Sequence, residues 1–213
     1  MRRWAPLRLV QMSTERQAHE PVREAMKEDG MTLDTLQFRS TLGLFATGVA
    51  VIATEIDDQL HAMTANAISS VSLDPMLILF CPAKRARISE LLPRIKGFSI
   101  NFLRDEHQAL STYFAGGQRS GAVAPPFKFV AAGAIPRLEG ALASLICTPH
   151  QTFEGGDHWI VTALVNEIHQ GIEPHRPLLF FKGQYRDMDR RHAARAPDLA
   201  DNAEEAALMY YHL

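Results

Sequence analysis

Thr64-Ala65-Asn66-Ala67-Ile68-Ser69-Ser70-Val71-Ser72-Leu73-Asp74-Pro75, followed at once by Met76-Leu77-Ile78-Leu79-Phe80-Cys81, is the stretch whose reading decides the fold. In an extended chain side chains alternate between faces, so Thr64, Asn66, Ser70 and Ser72 fall along one side with only Ile68 interrupting them. Asp74-Pro75 ends that segment, and Met76 to Cys81 reads as a buried strand. The polar row lies between two apolar runs, Val49 to Ala53 and Leu77 to Phe80. Two readings fit it: a strand with one wet face, or a surface for a flat ligand with many hydrogen-bonding edges.

Working outward, Val49 to Glu55 reads as a strand, Asp57-Asp58 as a turn and Leu60 to Ser72 as one returning strand, which together make a hairpin. Upstream, Thr32 or Asp34 caps a helix with Leu36, Leu42 and Phe45 on its apolar side and Gly48 as its stop. Residues 1–31 are charged and poor in large apolar side chains, and they read as an N-terminal arm. Downstream, Ala86 to Leu92 is a short helix ended by Pro93 and Gly97, and Phe98 to Phe102 alternates as a half-buried strand. Asp105 caps a helix that turns Leu110, Tyr113 and Phe114 inward and ends near Gly116-Gly117. Gln118 to Gly133 reads as a long loop. Leu142 to Cys147, Gln151 to Glu154, Trp159 to Glu167 and Leu178 to Phe181 supply further strands. Asn202-Ala203-Glu204-Glu205 resembles a capping box that opens a helix in a C-terminal tail, residues 187–213. The reading gives six or seven strands with only short helices between them. That pattern favours an antiparallel barrel over a doubly wound sheet, whose parallel strands need long crossovers.

Composition narrows the function classes. The 213 residues carry a formal net charge of -2, enough chain for one domain with a sizeable core and no electrostatic footprint for nucleic acid. No apolar run approaches the roughly 20 residues that span a bilayer, and Trp4 to Met12 is broken by Pro6 and Arg8, unlike a signal peptide. Cys81 and Cys147 end apolar runs, as reduced cysteines in a cytoplasmic protein do. No Gly-x-Gly-x-x-Gly, P-loop or Gly-x-Ser-x-Gly is present, and the nine histidines lack helical His-x-x-x-His spacing, so a Rossmann site, a hydrolase elbow and a metal site are not expected. Cys81-Pro82-Ala83-Lys84-Arg85-Ala86-Arg87 follows a buried strand and opens a short helix. Its free N–H groups and three cations suit a phosphate or pyrophosphate, with a solvated basic turn as the plain alternative.

Phe38-Arg39-Ser40-Thr41-Leu42-Gly43-Leu44-Phe45-Ala46-Thr47-Gly48-Val49 resembles the short flavin reductase family. The resemblance continues in order through Thr64-Ala65-Asn66, Ser69 to Pro75, Phe98 to Leu103, Gly155-Gly156-Asp157-His158 and Pro177 to Tyr185, covering roughly residues 35 to 186. It implies a mainly β fold, an antiparallel split barrel with short flanking helices, over residues 32–186, and a homodimer. It further implies hydride transfer from NADH or NADPH to FMN or FAD, with reduced flavin passed to an oxygenase component. In this reading the flavin contacts are Met63, Thr64, Ala65, Asn66, Ala67 and Ser70, the loop residues Cys81, Pro82, Ala83, Lys84, Arg85 and Arg87, and Ser111 and Phe114. His158 and Tyr185 lie on the nicotinamide side, and no side chain acts as a nucleophile. Family members commonly carry a serine near the end of the phosphate loop, where this chain has Arg85 and Ala86. That departure leaves room for a flavin-binding or carrier protein without nicotinamide turnover.

Overall fold

Asn66 and Ala67 break what the sequence presents as one strand. The computed structural model describes residues 34–116, 124–171 and 176–188; the N-terminal arm and nearly all of the C-terminal tail lie outside them. Leu60 to Ser72 forms two strands, β3 (Gln59–Ala65) and β4 (Ile68–Leu73). β3 pairs with β2 (Ala50–Ile56) through the turn at Asp57-Asp58, both residues at positive φ. β4 pairs instead with β5 (Met76–Phe80). The polar row is therefore divided between two strands rather than running along one.

With β6 (Phe98–Phe102), β9 (Ala143–Gly155) and β10 (His158–Gln170), these strands make a seven-stranded antiparallel sheet in the order β3-β2-β6-β9-β10-β5-β4. Consecutive strands β3 and β4 are its two edges. Six strand spacings would put the edges of a flat sheet about 29 Å apart. The chain from Ala65 to Ile68 reaches at most about 11 Å, so the sheet must curl until its edges meet. At the seam the Cys81 N–H donates to the Ala67 carbonyl at 3.2 Å.

Smaller pieces complete the unit that begins at Gly43. β1 (Thr47–Gly48), β11 (Leu179–Phe181) and β12 (Gln184–Arg186) form a three-stranded sheet, and β7 (Phe129–Ala132) and β8 (Ile135–Leu138) form a hairpin. The described residues thus hold twelve strands, more than the six or seven expected. The Gln118 to Gly133 segment, read as loop, contains β7: four residues ending in Ala131-Ala132 show no alternation, and Gly133 at φ +59 makes the turn. The two strands expected at Leu142 to Cys147 and Gln151 to Glu154 are one strand, β9, whose continuity is hidden by Pro149 and a bulge at that point. In the separate unit ending at Leu42, α1 (Thr35–Leu42) is capped by Asp34, whose carboxylate accepts from the Leu36 N–H at 3.0 Å. It stops short of Phe45 and Gly48 because Thr47-Gly48 is drawn into pairing with β11.

The central strands are buried on both faces. From β2, Ala50 and Ile52 join one core cluster with Phe80, Phe98, Ile100 and Val161, while Val51 joins Leu103, Leu110, Leu138 and Leu178 on the other side. β6, expected to be half-buried, is covered on its polar face by β8. There Asn101, fully buried, donates to the Val51 carbonyl (3.0 Å) and Ser99 Oγ (2.8 Å), and accepts from the Leu138 N–H (3.0 Å) and Ser144 Oγ (2.8 Å). Both donors and both acceptor positions of the amide are filled. Asn101→Leu strands several of these partners without water, and a loss of about 3 kcal/mol or more is expected. Urea unfolding checks it: the midpoint falls sharply, whereas Gln59→Ala at an exposed strand end leaves it nearly unmoved.

Candidate active site

The closing seam leaves a cavity of about 570 Å³. Thr47, Gly48 and Ala50 form one wall, Asn66, Ser70 and Ser72 another, and Ile78, Phe102, Leu145 and Val165 an apolar floor. Asn66 Nδ2 donates to Thr47 Oγ1 at 3.3 Å, which sets a polar edge on an otherwise apolar space. Such a balance suits a ligand with one hydrogen-bonding edge on a greasy body. The mouth is apolar too, with Phe45 76% exposed, Leu73 57%, Met76 49% and Ile168 55%.

Of the polar row, Asn66, Ser70 and Ser72 line this cavity, and of the flavin contacts expected from the resemblance Asn66 and Ser70 do. Thr64 turns away: its hydroxyl donates to the Ser111 carbonyl at 2.7 Å. Ser111, on α3 (Gln108–Ala115), is fully buried and shares a 2.8 Å hydrogen bond with the Tyr185 hydroxyl. Thr64, Ser111 and Tyr185 therefore form one chain joining β3, α3 and β12. Phe114 packs with Tyr113, Phe127 and Phe129 at ring distances of 5.1 to 6.4 Å. Met63 and Ala65 belong to the core cluster beneath the β3 end.

The second grouping lies where the 81–87 loop meets the tip of the β9–β10 hairpin. The Trp159 N–H donates to the Pro82 carbonyl and the Lys84 N–H to the Asp157 carbonyl, both at 2.9 Å, and Ala83 bridges His158. α2 (Arg87–Leu91) follows, and its buried Ser89 donates to the Ala83 carbonyl at 2.7 Å. Arg85 and Arg87 are exposed, whereas Lys84 reaches Glu154 at 3.3 Å and lies over the Trp159 ring. Burial pushes the Cys81 thiol up from its ordinary value, which disfavours the thiolate. The hairpin turns at Gly156, whose φ of +70 is the left-handed region that favours glycine. Next to it, His158 Nδ1 meets the Asp157 carboxylate at 2.7 Å. The hydrogen bond from His158, then its charge, holds the Asp157 carboxyl below its ordinary range, with Arg85 adding to the effect.

A family pattern described as the flavin reductase like domain matches residues 42–189. The chain belongs to that family. It is 36% identical over 149 residues to the reductase component of 4-hydroxyphenylacetate 3-monooxygenase from Thermus thermophilus, covering 70% of this chain and 93% of the relative. Flavin reductase PheA2 in its native state superposes with a TM-score of 0.68 at 35% identity, over 74% of this chain and all of that one (100%). The NADH:FAD oxidoreductase SgcE6 of Streptomyces globisporus, in complex with NAD and FAD fragments, has a TM-score of 0.68 at 29% identity, over 75% of this chain and 95% of that one.

In this flavin reductase-like chain, sequence reasoning missed the Thr47-Gly48 wall, Ser89 and the Glu154 and Trp159 partners of the loop. The first was legible: Ala46, Gly48 and Ala50 alternate as small residues, the pattern of a strand that something approaches closely. Ser89 carried no signal, because its role appears only when the loop folds back on Ala83.

The Asp157–His158 contact has a defined pH dependence. A carboxyl whose folded pKa is depressed keeps its contribution above the ordinary carboxylate range and loses it as pH falls through the folded value. Carboxyl-carbon NMR of Asp157 is expected to titrate below the usual value of about 3.9, and His158→Ala is expected to raise that midpoint. A midpoint that ignores the substitution would remove the contact.

Proposed function

We propose that this protein is an NAD(P)H-dependent flavin reductase that reduces FMN or FAD and supplies the product to a partner monooxygenase. One observation carries the reading beyond the family: the backbone ties between Pro82-Lys84 and Asp157-Trp159 join the basic loop and the His158 turn into one piece. The residues present fit a flavin. The seam cavity offers an apolar body with a polar edge at Asn66 and Thr47, and Arg85 and Arg87 are exposed cations on the loop that follows β5, whose first residues line that cavity. When bound, the flavin supplies a ring that accepts hydride directly from the reduced nicotinamide.

The chain's own work is positioning. Asn66, with small neighbours Ala65 and Ala67, presents donors and acceptors where no bulky side chain intervenes. Arg85 and Arg87 meet the phosphate by charge-assisted contacts and stand in for the serine that the resemblance leads one to expect in this loop. His158, with Nδ1–H directed at Asp157, leaves Nε2 as the acceptor of the neutral ring, suited to a carboxamide N–H. The Tyr185–Ser111–Thr64 chain steadies the outgoing end of β3. Cys81 and Cys147 are unpaired, and burial lifts Cys147 to about 12, as suits a protein working in the reducing cytoplasm.

The test is anaerobic mixing of the protein with each pairing of NADH or NADPH and FMN or FAD. Bleaching of at least one flavin well above the protein-free rate is expected; no acceleration in any pairing removes the proposal. His158→Ala is expected to raise the nicotinamide KM about tenfold or more while flavin affinity changes little. Arg85→Ala with Arg87→Ala is expected to weaken FMN and leave riboflavin, which has no phosphate, nearly unaffected.

We also infer a homodimer. The exposed apolar rim of Phe45, Leu73, Met76 and Ile168 around the cavity mouth is the kind of patch that a second copy covers. Light scattering behind a sizing column is expected to give twice the mass of one chain, and Ile168→Lys to reduce it toward one. A single-chain mass for the unaltered protein at every concentration would exclude the dimer.

A further inference from the structure

We propose that Lys84 is a positioning residue, which fastens the phosphate loop to the hairpin tip and thereby sets the place of His158, and that it does not hold phosphate. The inference rests on the flavin reductase reading of the same site. Three cations crowd residues 84 to 87, and sequence alone gives them one role. The structure separates them. Arg85 and Arg87 are exposed. The Lys84 ammonium instead sits 3.3 Å from the Glu154 carboxylate and 4.8 Å from the centre of the Trp159 ring. Both partners lie on the hairpin that carries Asp157 in its turn and His158 at the start of β10, one on each strand.

The backbone of the same residue is tied to the same tip. The Lys84 N–H donates to the Asp157 carbonyl, and the Trp159 N–H donates to the Pro82 carbonyl. Turning the ammonium toward a ligand phosphate would break the ion pair and leave the aromatic face together, so the loop would lose its side-chain fastening at the moment it was needed. Arg85 and Arg87 can reach an anion without that loss. Near the surface an ion pair and a cation over a ring are each modest, but hydride transfer depends on the placement of the nicotinamide to within about 1 Å. A small loosening at the tip therefore appears in nicotinamide use.

The experiment is steady-state kinetics of the full chain and of Lys84→Met, Lys84→Arg, Glu154→Gln and the Lys84→Met, Glu154→Gln double variant, with FMN and with riboflavin as acceptors. Lys84→Met and Glu154→Gln are each expected to raise the nicotinamide KM about three- to tenfold, equally with both acceptors. The double variant is expected to be no worse than Lys84→Met, and Lys84→Arg, which keeps the ion pair and the ring contact, to retain most of the activity. A loss with FMN that is absent with riboflavin makes Lys84 a phosphate ligand and overturns the proposal, as does a Lys84→Met variant with wild-type kinetics. Amide hydrogen exchange at Lys84 and Trp159 reads the clamp without turnover. Faster exchange in Lys84→Met supports the clamp even if the wild-type protein reduces no flavin, an outcome that sinks the reductase reading alone. Unchanged exchange overturns the clamp whatever the activity.

Discussion

The two-residue link Asn66-Ala67 is the constraint on which the rest of the barrel depends. It joins the two edge strands of a seven-stranded sheet, and so short a connection cannot span a flat sheet. Closure follows from covalent geometry before any contact is counted. The sheet leaves fewer open edges, and the β3–β4 corner is brought to the start of the 81–87 loop by the Cys81 to Ala67 hydrogen bond. The cavity is a product of the same closure: one wall belongs to the first strands, another to the far edge, and the chain crosses between them in two residues.

A curled sheet has an inside and an outside, and here the central strands are buried on both. Alternation along β2 sends Ile52 one way and Val51 the other, so a continuous apolar run is what the fold requires. β6 meets the same demand differently. Its inner face is Phe98 and Ile100, but its outer face is Ser99 and Asn101, sealed under β8. Buried amides in low dielectric are costly unless every group is satisfied. The Asn101 amide meets that condition by linking β2, β8 and β9 to β6, and it fixes the register of β8 through the Leu138 N–H.

Sequence made the strand-rich architecture legible because period and punctuation agree locally: Asp57-Asp58 at the first turn, Asp74-Pro75 after β4, Phe98 to Phe102 as β6. It misled where a decision is made at long range. Nothing local tells Ile68 to leave β3's partner and join β5, since the residues on both sides of Asn66-Ala67 suit an extended chain equally well. Ser99 and Asn101 looked like a wet face because their cover, β8, is a four-residue strand with a proline in it, 35 residues downstream of Asn101 at its centre, about where Pro136 stands. The candidate site divides the same way. Asn66, Ser70, the loop and His158 were readable as residue types in order, whereas the grouping of Thr64 with Ser111 and Tyr185 depends on how α3 and β12 pack.

The placement of charge fits a site whose chemistry is geometric. Near neutrality overall, the chain surrounds His158 with pairs rather than with a field: Asp157 takes the imidazole Nδ1–H, and Glu154 takes Lys84. Lys84 and Glu154 offset one another's charge, and the Asp157 carboxylate is turned onto the His158 imidazole. Arg85 and Arg87 stay exposed on the loop, as the phosphate role proposed for them requires. A reaction between two carbon atoms gains little from a strong local potential and much from fixed distance, so the structural effort goes into the fastening between loop and hairpin. That fastening uses backbone hydrogen bonds for direction and one side chain, Lys84, held against Glu154 and Trp159, and the positioning role proposed for Lys84 follows from those contacts.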